Sequence, residues 1–265
     1  MDEVSTYVAA WREAADRVLT LCAELGDDDW SAPTDCPGWT VRDVLAHLVH
    51  IETALLEGGS AAADTSRREV EPTWTRAGVE SRRDQTPEAL RHQLAAAVLR
   101  RASELDRLGP IDPRGTPELT PAGLRWDWAT LLRNRAIDMW VHEQDIRRAV
   151  GRSGGMQGVS AQVAVRTFAA ALPYVLGKKV APPPGTTVAW NVHGPVEVDQ
   201  VLRIDDERRA VPADDAADVT TGLDMDTETF AVLAAGRRGA EEVDVLVDGD
   251  KVLARRVIDA MGVTP

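Results

Sequence analysis

Two side chains in the middle of the chain have the spacing of a metal-binding pair. Asp138 and His142 are four residues apart in a segment whose pattern predicts a helix, so both lie on one helix face with Cβ atoms about 5–6 Å apart. A carboxylate oxygen and an imidazole nitrogen placed in this way can bind the same divalent cation. The same spacing is also typical of a local hydrogen bond between the two side chains. Two ligands do not make a tight metal site, so a third should come from another helix.

A third ligand is available earlier in the chain, where His47 and His50 lie in the apolar stretch 45–51. The two histidines are three residues apart, and helical periodicity does not decide between them. Two imidazoles and one carboxylate leave coordination positions open for water or substrate, which is typical of a catalytic zinc rather than a structural one. The alternative is that a histidine on an apolar face is a hydrogen-bonded core residue.

Two sequence motifs contain His47 and His142: the run CPGWTVRDVLAHL at 36–48 and the run WVHEQDIRRA at 140–149. Together they resemble the signature of the mycothiol-dependent maleylpyruvate isomerase family, which belongs to the wider DinB-like superfamily of metal-binding helical bundles. The resemblance implies that a divalent metal, typically zinc, is held by His47, Asp138 and His142, and it selects His47 over His50. The sequence departs from the family at Asp138, where the family usually has the longer Glu.

The resemblance also implies a chemistry. In the family, the thiol of mycothiol adds to a cis double bond, the bond rotates and the thiol leaves; other relatives resemble thiol S-transferases. An open metal position suits this step because a coordinated thiol is deprotonated. An arginine of the C-terminal domain reaches the family's active site, and Arg237 is the matching candidate for holding a substrate carboxylate; a solvated basic turn is the alternative. Neither Cys22 nor Cys36 is needed as the nucleophile, and Cys36 is interpreted as structural.

Two other functions stay open at this point. One is a DinB-like protein that binds a metal or a small ligand without turnover, which the shorter Asp138 leaves possible, because fold resemblance does not fix a reaction. The other is a metal-dependent hydrolase that uses metal-bound hydroxide. Neither a substrate nor an oligomeric state follows from the sequence.

Three polar residues flank the predicted ligands on the later helix. Asp145 lies seven residues past the predicted carboxylate ligand, two turns along nearly the same face. It can orient a metal ligand, or it can pair with Arg148 or Arg42 and tie helices together. Glu143 and Gln144 are expected to face solvent.

The elements that must position these residues follow from the apolar pattern. Apolar residues recur at three- and four-residue steps and predict long helices over about 2–25, 40–58, 86–108 and 127–150. Thr40 with Asp43 has the pattern of a capping box, and Thr86 before Pro87 is a typical helix start. Four long helices in this part of the chain predict a helical bundle.

After about residue 155 the pattern becomes mixed. It predicts helices over about 160–176, 224–235 and 251–261 and strands over about 187–192, 196–204, 217–221 and 243–247. The predicted fold class is therefore α+β, with a DinB-like four-helix bundle at 1–155 and a small α+β domain at 156–265. This second part resembles, more loosely, the sterol-carrier-like domain that follows the bundle in many family members.

Composition narrows the class of protein further. The 265 residues include 30 Lys+Arg and 43 Asp+Glu, a formal charge of −13, which argues against a protein whose main task is to bind nucleic acid. We expect no membrane span, because no run of about 18 consecutive apolar residues occurs, and no signal peptide, because the chain starts with acidic residues. Two cysteines are too few for a disulfide framework. The sequence predicts a cytoplasmic protein whose partners are a small thiol and a small electrophile.

Overall fold

The structure is a computed structural model that describes residues 2–57, 71–213 and 218–264. It divides into two compact units, Met1–Val163 and Ala164–Thr264. The first unit is helical and the second contains a mixed sheet, so the predicted α+β class is confirmed. The division between the units lies inside the helix Val159–Ala170, close to the predicted boundary after residue 155. That the two parts are separate domains stays a prediction.

The first unit consists mainly of the long helices that the apolar pattern predicts. Its helices are α1 (Glu3–Ala23), α2 (Val41–Glu57), the shorter α3 (Pro72–Glu80), α4 (Pro87–Leu108) and α5 (Trp128–Ala149). The four long helices pack together, with α1 against α5 and α2 against α4, while α3 packs on α2. Helices α2 and α5 are also in contact, which brings the two sequence motifs together.

The starts of these helices are fixed by side-chain caps. The backbone N–H of Thr40 donates to Oδ2 of Asp43 at 3.0 Å, as the predicted capping box requires. Oγ1 of Thr86 accepts from the N–H of Ala89 at 3.2 Å at the start of α4. A cap satisfies an N–H group that has no partner inside the helix. These contacts mark where α2 and α4 begin.

Helices α2 and α5 supply the polar residues of the bundle interior. Helix α2 is buried almost all round, as expected for an interior helix. Among its buried residues are His47 and Glu52, and the buried polar residues of α5 are Arg135, His142, Glu143, Gln144 and Asp145. Buried polar groups cost free energy unless they are paired. These buried polar residues of α2 and α5 are therefore candidates for a function other than packing.

The second unit is built around a five-stranded sheet. Helix α6 (Val159–Ala170) leads into it and is followed by α7 (Leu172–Tyr174) and a π-helical turn, Val175–Val180. The strands are β1 (Thr187–His193), β2 (Val198–Ile204), β3 (Ala210–Pro212), β4 (Thr221–Asp226) and β5 (Leu246–Gly249), in the order β3-β2-β1-β4-β5. Strands β1 and β4 are parallel and the other pairs are antiparallel. Helices α8 (Thr227–Ala234) and α9 (Lys251–Ala260) complete the unit.

The position of β4 differs from the prediction. The sequence predicts a strand over 217–221 and a helix from 224, whereas the strand continues to Asp226 and the helix begins at Thr227. Alternate residues of Thr221–Asp226 are buried, and the strand pairs with β1 on one side and β5 on the other. Pairing on both sides outweighs the weak local helical pattern. Residue 217 itself lies outside the described residues.

One helical run in the described part of the chain, Val159–Val180, is long and apolar enough to cross a membrane. Half of its most apolar window is buried inside the protein. Core helices of water-soluble proteins meet the same criteria of length and composition.

Candidate metal centre

Three side chains from α2 and α5 approach one another in the first unit. Oδ1 of Asp138 lies 3.3 Å from Nε2 of His47 and 3.6 Å from Nε2 of His142. The three donor atoms all lie within 4.8 Å of one another. Donors around a tetrahedral zinc, with bonds of about 2.0–2.1 Å, are separated by about 3.3 Å. The group therefore fits a divalent metal in donor type and in spacing, and its role as a ligand set stays a prediction.

The group is enclosed on its histidine side and accessible at its carboxylate. The side chains of His47 and His142 are 7% exposed, whereas that of Asp138 is 28% exposed. The two imidazoles meet nearly edge to face, with ring centroids 4.7 Å apart. The half-buried ring of Trp39 lies 5.2 Å from His47 and 6.3 Å from His142. Of the three side chains, that of Asp138 is therefore the most exposed to solvent.

Asp145 holds the far side of the His142 ring. Its Oδ2 atom lies 3.0 Å from Nδ1 of His142 and accepts from the thiol of Cys36 at 3.3 Å. Its Oδ1 atom accepts from Arg148 at 2.6 Å. Asp145 thus contacts the ring of His142 and pairs with Arg148, which lies on the same helix, so this ion pair does not join two helices. A proton on Nδ1 leaves the Nε2 lone pair free on the side of the carboxylate ligand.

Arg42 instead ties α2 to the segment after α3. Its guanidinium donates to the backbone carbonyls of Arg82 at 2.6 Å and Gln85 at 2.8 Å, and also to that of Arg83. These bonds place a cation at the start of α2, where it contacts Asp43 but not the three predicted ligands. We assign it a structural function.

His47 and His50 have different environments. Nε2 of His47 points to Asp138, and its buried Nδ1 atom has no hydrogen-bond partner among the described residues. The ring of His50 packs against Trp74 of α3, with centroids 4.1 Å apart. A Cβ atom at Gly78 would lie 2.1 Å from that ring, so α3 approaches α2 closely only because residue 78 is glycine. Of the two histidines, the structure brings His47 to the candidate site.

A buried ion pair behind the site was not predicted from the sequence. Arg135 donates to Oδ2 of Asp138 at 2.8 Å and, through two nitrogens, to Oε1 of Glu52 at 2.9 and 3.2 Å. The indole of Trp11 donates to the same Glu52 oxygen at 3.0 Å. A chain of contacts thus runs from α1 through α2 to the candidate ligand on α5. The only local signal in the sequence is the position of Arg135, three residues before Asp138 on the same helix face.

The charges around the site shift three pKa values. Burial alone would raise the pKa of Asp138, but Arg135 and the two imidazoles outweigh it and hold that pKa well below its usual range. Burial would also lower the pKa of His142, yet the carboxylates of Asp138 and Asp145 and the Cys36 contact raise it to about 10. Burial lowers the pKa of His47, although the nearby carboxylate of Asp138 raises it in part. Without a metal, the site therefore holds an anionic carboxylate and a protonated His142.

The two cysteines have different surroundings, and both are buried. Burial raises the pKa of the Cys22 thiol to about 12, so it is protonated and unreactive at neutral pH. Cys36 belongs to a second group of possible ligands with His142 and Asp145, whose donor atoms also lie within 4.8 Å of one another. There the thiol donates to a carboxylate that Arg148 already neutralises, which supports the structural interpretation of Cys36.

The expectation that Glu143 and Gln144 face solvent is wrong. Glu143 is fully buried and accepts from Arg147 at 2.7 Å, and Gln144 is 3% exposed. The segment after α5 covers both side chains. At Gly155, whose φ is +74°, a Cβ atom would lie 2.4 Å from Oε1 of Glu143. Only glycine accommodates both that backbone conformation and that close approach.

The remaining predicted residue, Arg237, lies in the second unit, in the turn after α8. Its guanidinium donates to the carbonyl of Ala235 at 3.0 Å. Its function as a substrate-binding residue stays a prediction.

Comparisons with known proteins agree with the fold. A sequence model of the family described as "Mycothiol maleylpyruvate isomerase N-terminal domain" matches residues 11–147. Two similar solved structures are crystal structures of the mycothiol-dependent maleylpyruvate isomerase, one of them of a histidine-to-alanine mutant. They have TM-scores of 0.54 and 0.53, and each comparison covers 92% of both chains at 16% identity. No curated protein matches this chain.

Proposed function

This chain belongs to the mycothiol maleylpyruvate isomerase N-terminal domain family, and on that premise we propose that it is a metal-dependent enzyme that activates a low-molecular-weight thiol. The thiol is mycothiol, and the reaction is the cis–trans isomerisation of a small electrophilic substrate or the transfer of the thiol to it. The observation that carries the proposal is the approach of Asp138 Oδ1 to Nε2 of His47 and of His142, at 3.3 and 3.6 Å.

A divalent metal, zinc in the first instance, would be held by His47, Asp138 and His142. Two imidazoles and a carboxylate suit zinc, and three protein ligands leave a fourth position open to an exogenous ligand. When bound, the metal supplies a positive charge that lowers the pKa of a coordinated thiol, so that the thiol ionises near neutral pH.

The surrounding residues prepare this site for an incoming thiol. Asp145 holds a proton on Nδ1 of His142 and so fixes the orientation of the ring. Trp39 lies against both imidazoles and limits the access of water from that side. The exposed part of Asp138 marks the approach for thiol and substrate. Cys22 cannot supply the nucleophile, because its buried thiol stays protonated.

The proposed isomerisation needs an alkene conjugated to a carbonyl group. The thiol sulfur forms a bond to one alkene carbon, and the electron pair of the double bond moves towards the carbonyl. Rotation about the resulting single bond and expulsion of the thiol then give the trans double bond and return the thiol unchanged. Thiol transfer shares the first step, after which the carbon next to the carbonyl group takes up a proton, the one that the thiol lost on ionisation, and the sulfur–carbon bond is retained.

We further propose that Arg237 binds a carboxylate of the substrate, because an arginine is well suited to pair with a carboxylate through two hydrogen bonds. The net charge of −13 would otherwise repel an anionic substrate. The same acidic charge argues against binding to nucleic acid, and we propose a cytoplasmic location, as the sequence predicts. Replacing Arg237 with methionine should raise the KM for an anionic substrate without changing metal content, and Arg238→Met is the neighbouring control.

The proposed function is tested by metal analysis followed by thiol binding. The wild type and a His92→Ala variant, which alters an exposed histidine of α4, should contain stoichiometric metal, and His142→Ala should contain little. Calorimetry should then detect mycothiol binding to the metal-loaded wild type. A wild type that cannot bind metal contradicts the proposal, and metal without thiol binding favours a non-catalytic binding protein or a hydrolase.

A further inference from the structure

Arg135 has an unusual position for a buried cation. Its side chain is 6% exposed and lies between two carboxylates, those of Glu52 and Asp138. The Glu52 side chain is fully buried, and the Trp11 indole holds the same oxygen that Arg135 contacts. A buried ion pair is weak evidence for stability, because desolvation of both charges offsets their attraction. The effect of Arg135 on its second partner, Asp138, therefore explains its buried position better than a contribution to stability does.

The two oxygens of Asp138 are divided between different partners. Oδ2 accepts from Arg135 at 2.8 Å, and Oδ1 faces Nε2 of His47 at 3.3 Å and Nε2 of His142 at 3.6 Å. A carboxylate can bind a metal through one oxygen or through both. With Oδ2 engaged by a guanidinium, only Oδ1 is directed at the candidate metal position.

The number of Asp138 oxygens that bind the metal determines how many coordination positions remain for other ligands. Two imidazoles and one oxygen fill three positions of a four-coordinate ion and leave the fourth open. A second oxygen from Asp138 would occupy the position that an incoming thiol requires. A residue that holds Oδ2 would therefore affect access to the metal without being one of its ligands.

We propose that Arg135 is a positioning residue that restricts Asp138 to coordination through Oδ1 and so keeps one metal position open for a thiol. Glu52 and Trp11 hold the guanidinium in place from α2 and α1. This inference rests on the proposed metal site and deepens it, because it assigns to the ion pair behind the site a function in ligand access.

The first test is a crystal structure of the zinc-loaded wild type, which needs no substitution. Oδ1 of Asp138 should lie at about 2.0–2.2 Å from the metal, with Oδ2 still bonded to Arg135. Coordination by both oxygens, or by Oδ2 alone, overturns the proposal. A wild type that takes up no zinc overturns the proposed function together with this inference, whereas a zinc site with both oxygens bound overturns the inference alone.

The second test uses variants in which removal of the guanidinium does not leave the buried Glu52 carboxylate unpaired. Glu52→Gln keeps an acceptor for Trp11 and Arg135 and serves as the control, and Glu52→Gln/Arg135→Met removes the guanidinium as well. Removal of both members of a buried ion pair is often nearly neutral for stability. Each protein is loaded with Co²⁺, and the cobalt absorption is followed while 2-mercaptoethanol is added; circular dichroism checks the fold.

The control should give the strong visible bands of four-coordinate cobalt and, with 2-mercaptoethanol, a thiolate-to-cobalt charge-transfer band. In the double variant, the visible bands should weaken as the coordination number rises, and thiol affinity should fall about 10-fold or more. Glu52→Gln/Arg135→Lys should recover part of the thiol affinity. Equal spectra and equal thiol affinity in the control and the folded double variant overturn the proposal, and if the double variant does not fold, the zinc-loaded structure decides it.

Discussion

Nδ1 of His142 lies 3.0 Å from Oδ2 of Asp145, the same oxygen that accepts the thiol hydrogen of Cys36. Helix α5 thus carries both a candidate metal ligand and the group that orients it, three residues apart. Arg148 holds the other oxygen of Asp145. The imidazole is fixed on its far side, and its Nε2 atom is presented to Asp138.

Asp145→Asn should weaken metal binding by about 10- to 100-fold, because a neutral amide neither fixes the Nδ1 proton as firmly nor supports the basicity of the ring. The measurement is zinc affinity by competition with a chromophoric chelator. Asp35→Asn is the matched control, since it also removes a carboxylate that binds Arg148. Equal affinities for the two variants would show that Asp145 does not orient the ligand.

Metal binding near neutral pH should release a proton. His142 has a pKa raised to about 10, so its ring is protonated in the metal-free protein, and a metal can bind only after Nε2 loses its proton. Zinc affinity should therefore rise with pH, up to about tenfold per unit, until the pKa of His142 is reached. Calorimetry in two buffers with different ionisation enthalpies measures the proton directly. An identical binding enthalpy in both buffers would contradict the assignment.

His47→Ala and His50→Ala should have opposite effects on metal content. His47 directs Nε2 at Asp138, whereas His50 packs on Trp74. The first substitution should abolish stoichiometric zinc, and the second should leave it in place and reduce stability through lost packing between α2 and α3. Zinc analysis and thermal unfolding of the two variants make the comparison. Loss of zinc in the His50 variant alone would reverse the assignment of the ligand.

Cys22 should make stability fall at alkaline pH. Its thiol has a pKa near 9.0 when unfolded and about 12 when folded, so between these values the unfolded chain loses a proton that the folded chain keeps. The contribution of the Cys22 thiol to the free energy of unfolding is fully present below pH 9.0. It is lost as the pH rises, at up to about 1.4 kcal/mol per pH unit. Denaturant unfolding at two alkaline pH values should show a shallower dependence for Cys22→Ala than for the wild type. Parallel slopes would contradict the raised pKa.

Much of the helical unit could be predicted from local sequence. Periodic apolar residues and the starts at Thr40 and Thr86 depend on neighbours within one or two turns, and the helices α2 and α4 begin where those signals indicate. The pair Asp138 and His142 follows from the same local rule, because residues four apart share a helix face.

The remaining features depend on contacts between distant parts of the chain. Strand β4 is a strand because β1 and β5 flank it, and its own sequence is short and acidic. Glu52 and Arg135 are 83 residues apart, so periodicity shows that each is on a helix but not that they meet. The local sequence predicts Glu143 at the surface, because glutamate is an ionisable residue type, but the segment containing Gly155 buries it.

The central claim is that His47, Asp138 and His142 hold a metal at which an external thiol binds. X-ray absorption at the zinc edge of the loaded protein, recorded before and after addition of mycothiol, tests it most directly. We predict nitrogen and oxygen ligands at about 2.0–2.2 Å before addition and a new sulfur ligand at about 2.3 Å afterwards. A zinc site that gains no sulfur at saturating mycothiol, or a protein that retains no zinc, would contradict the account.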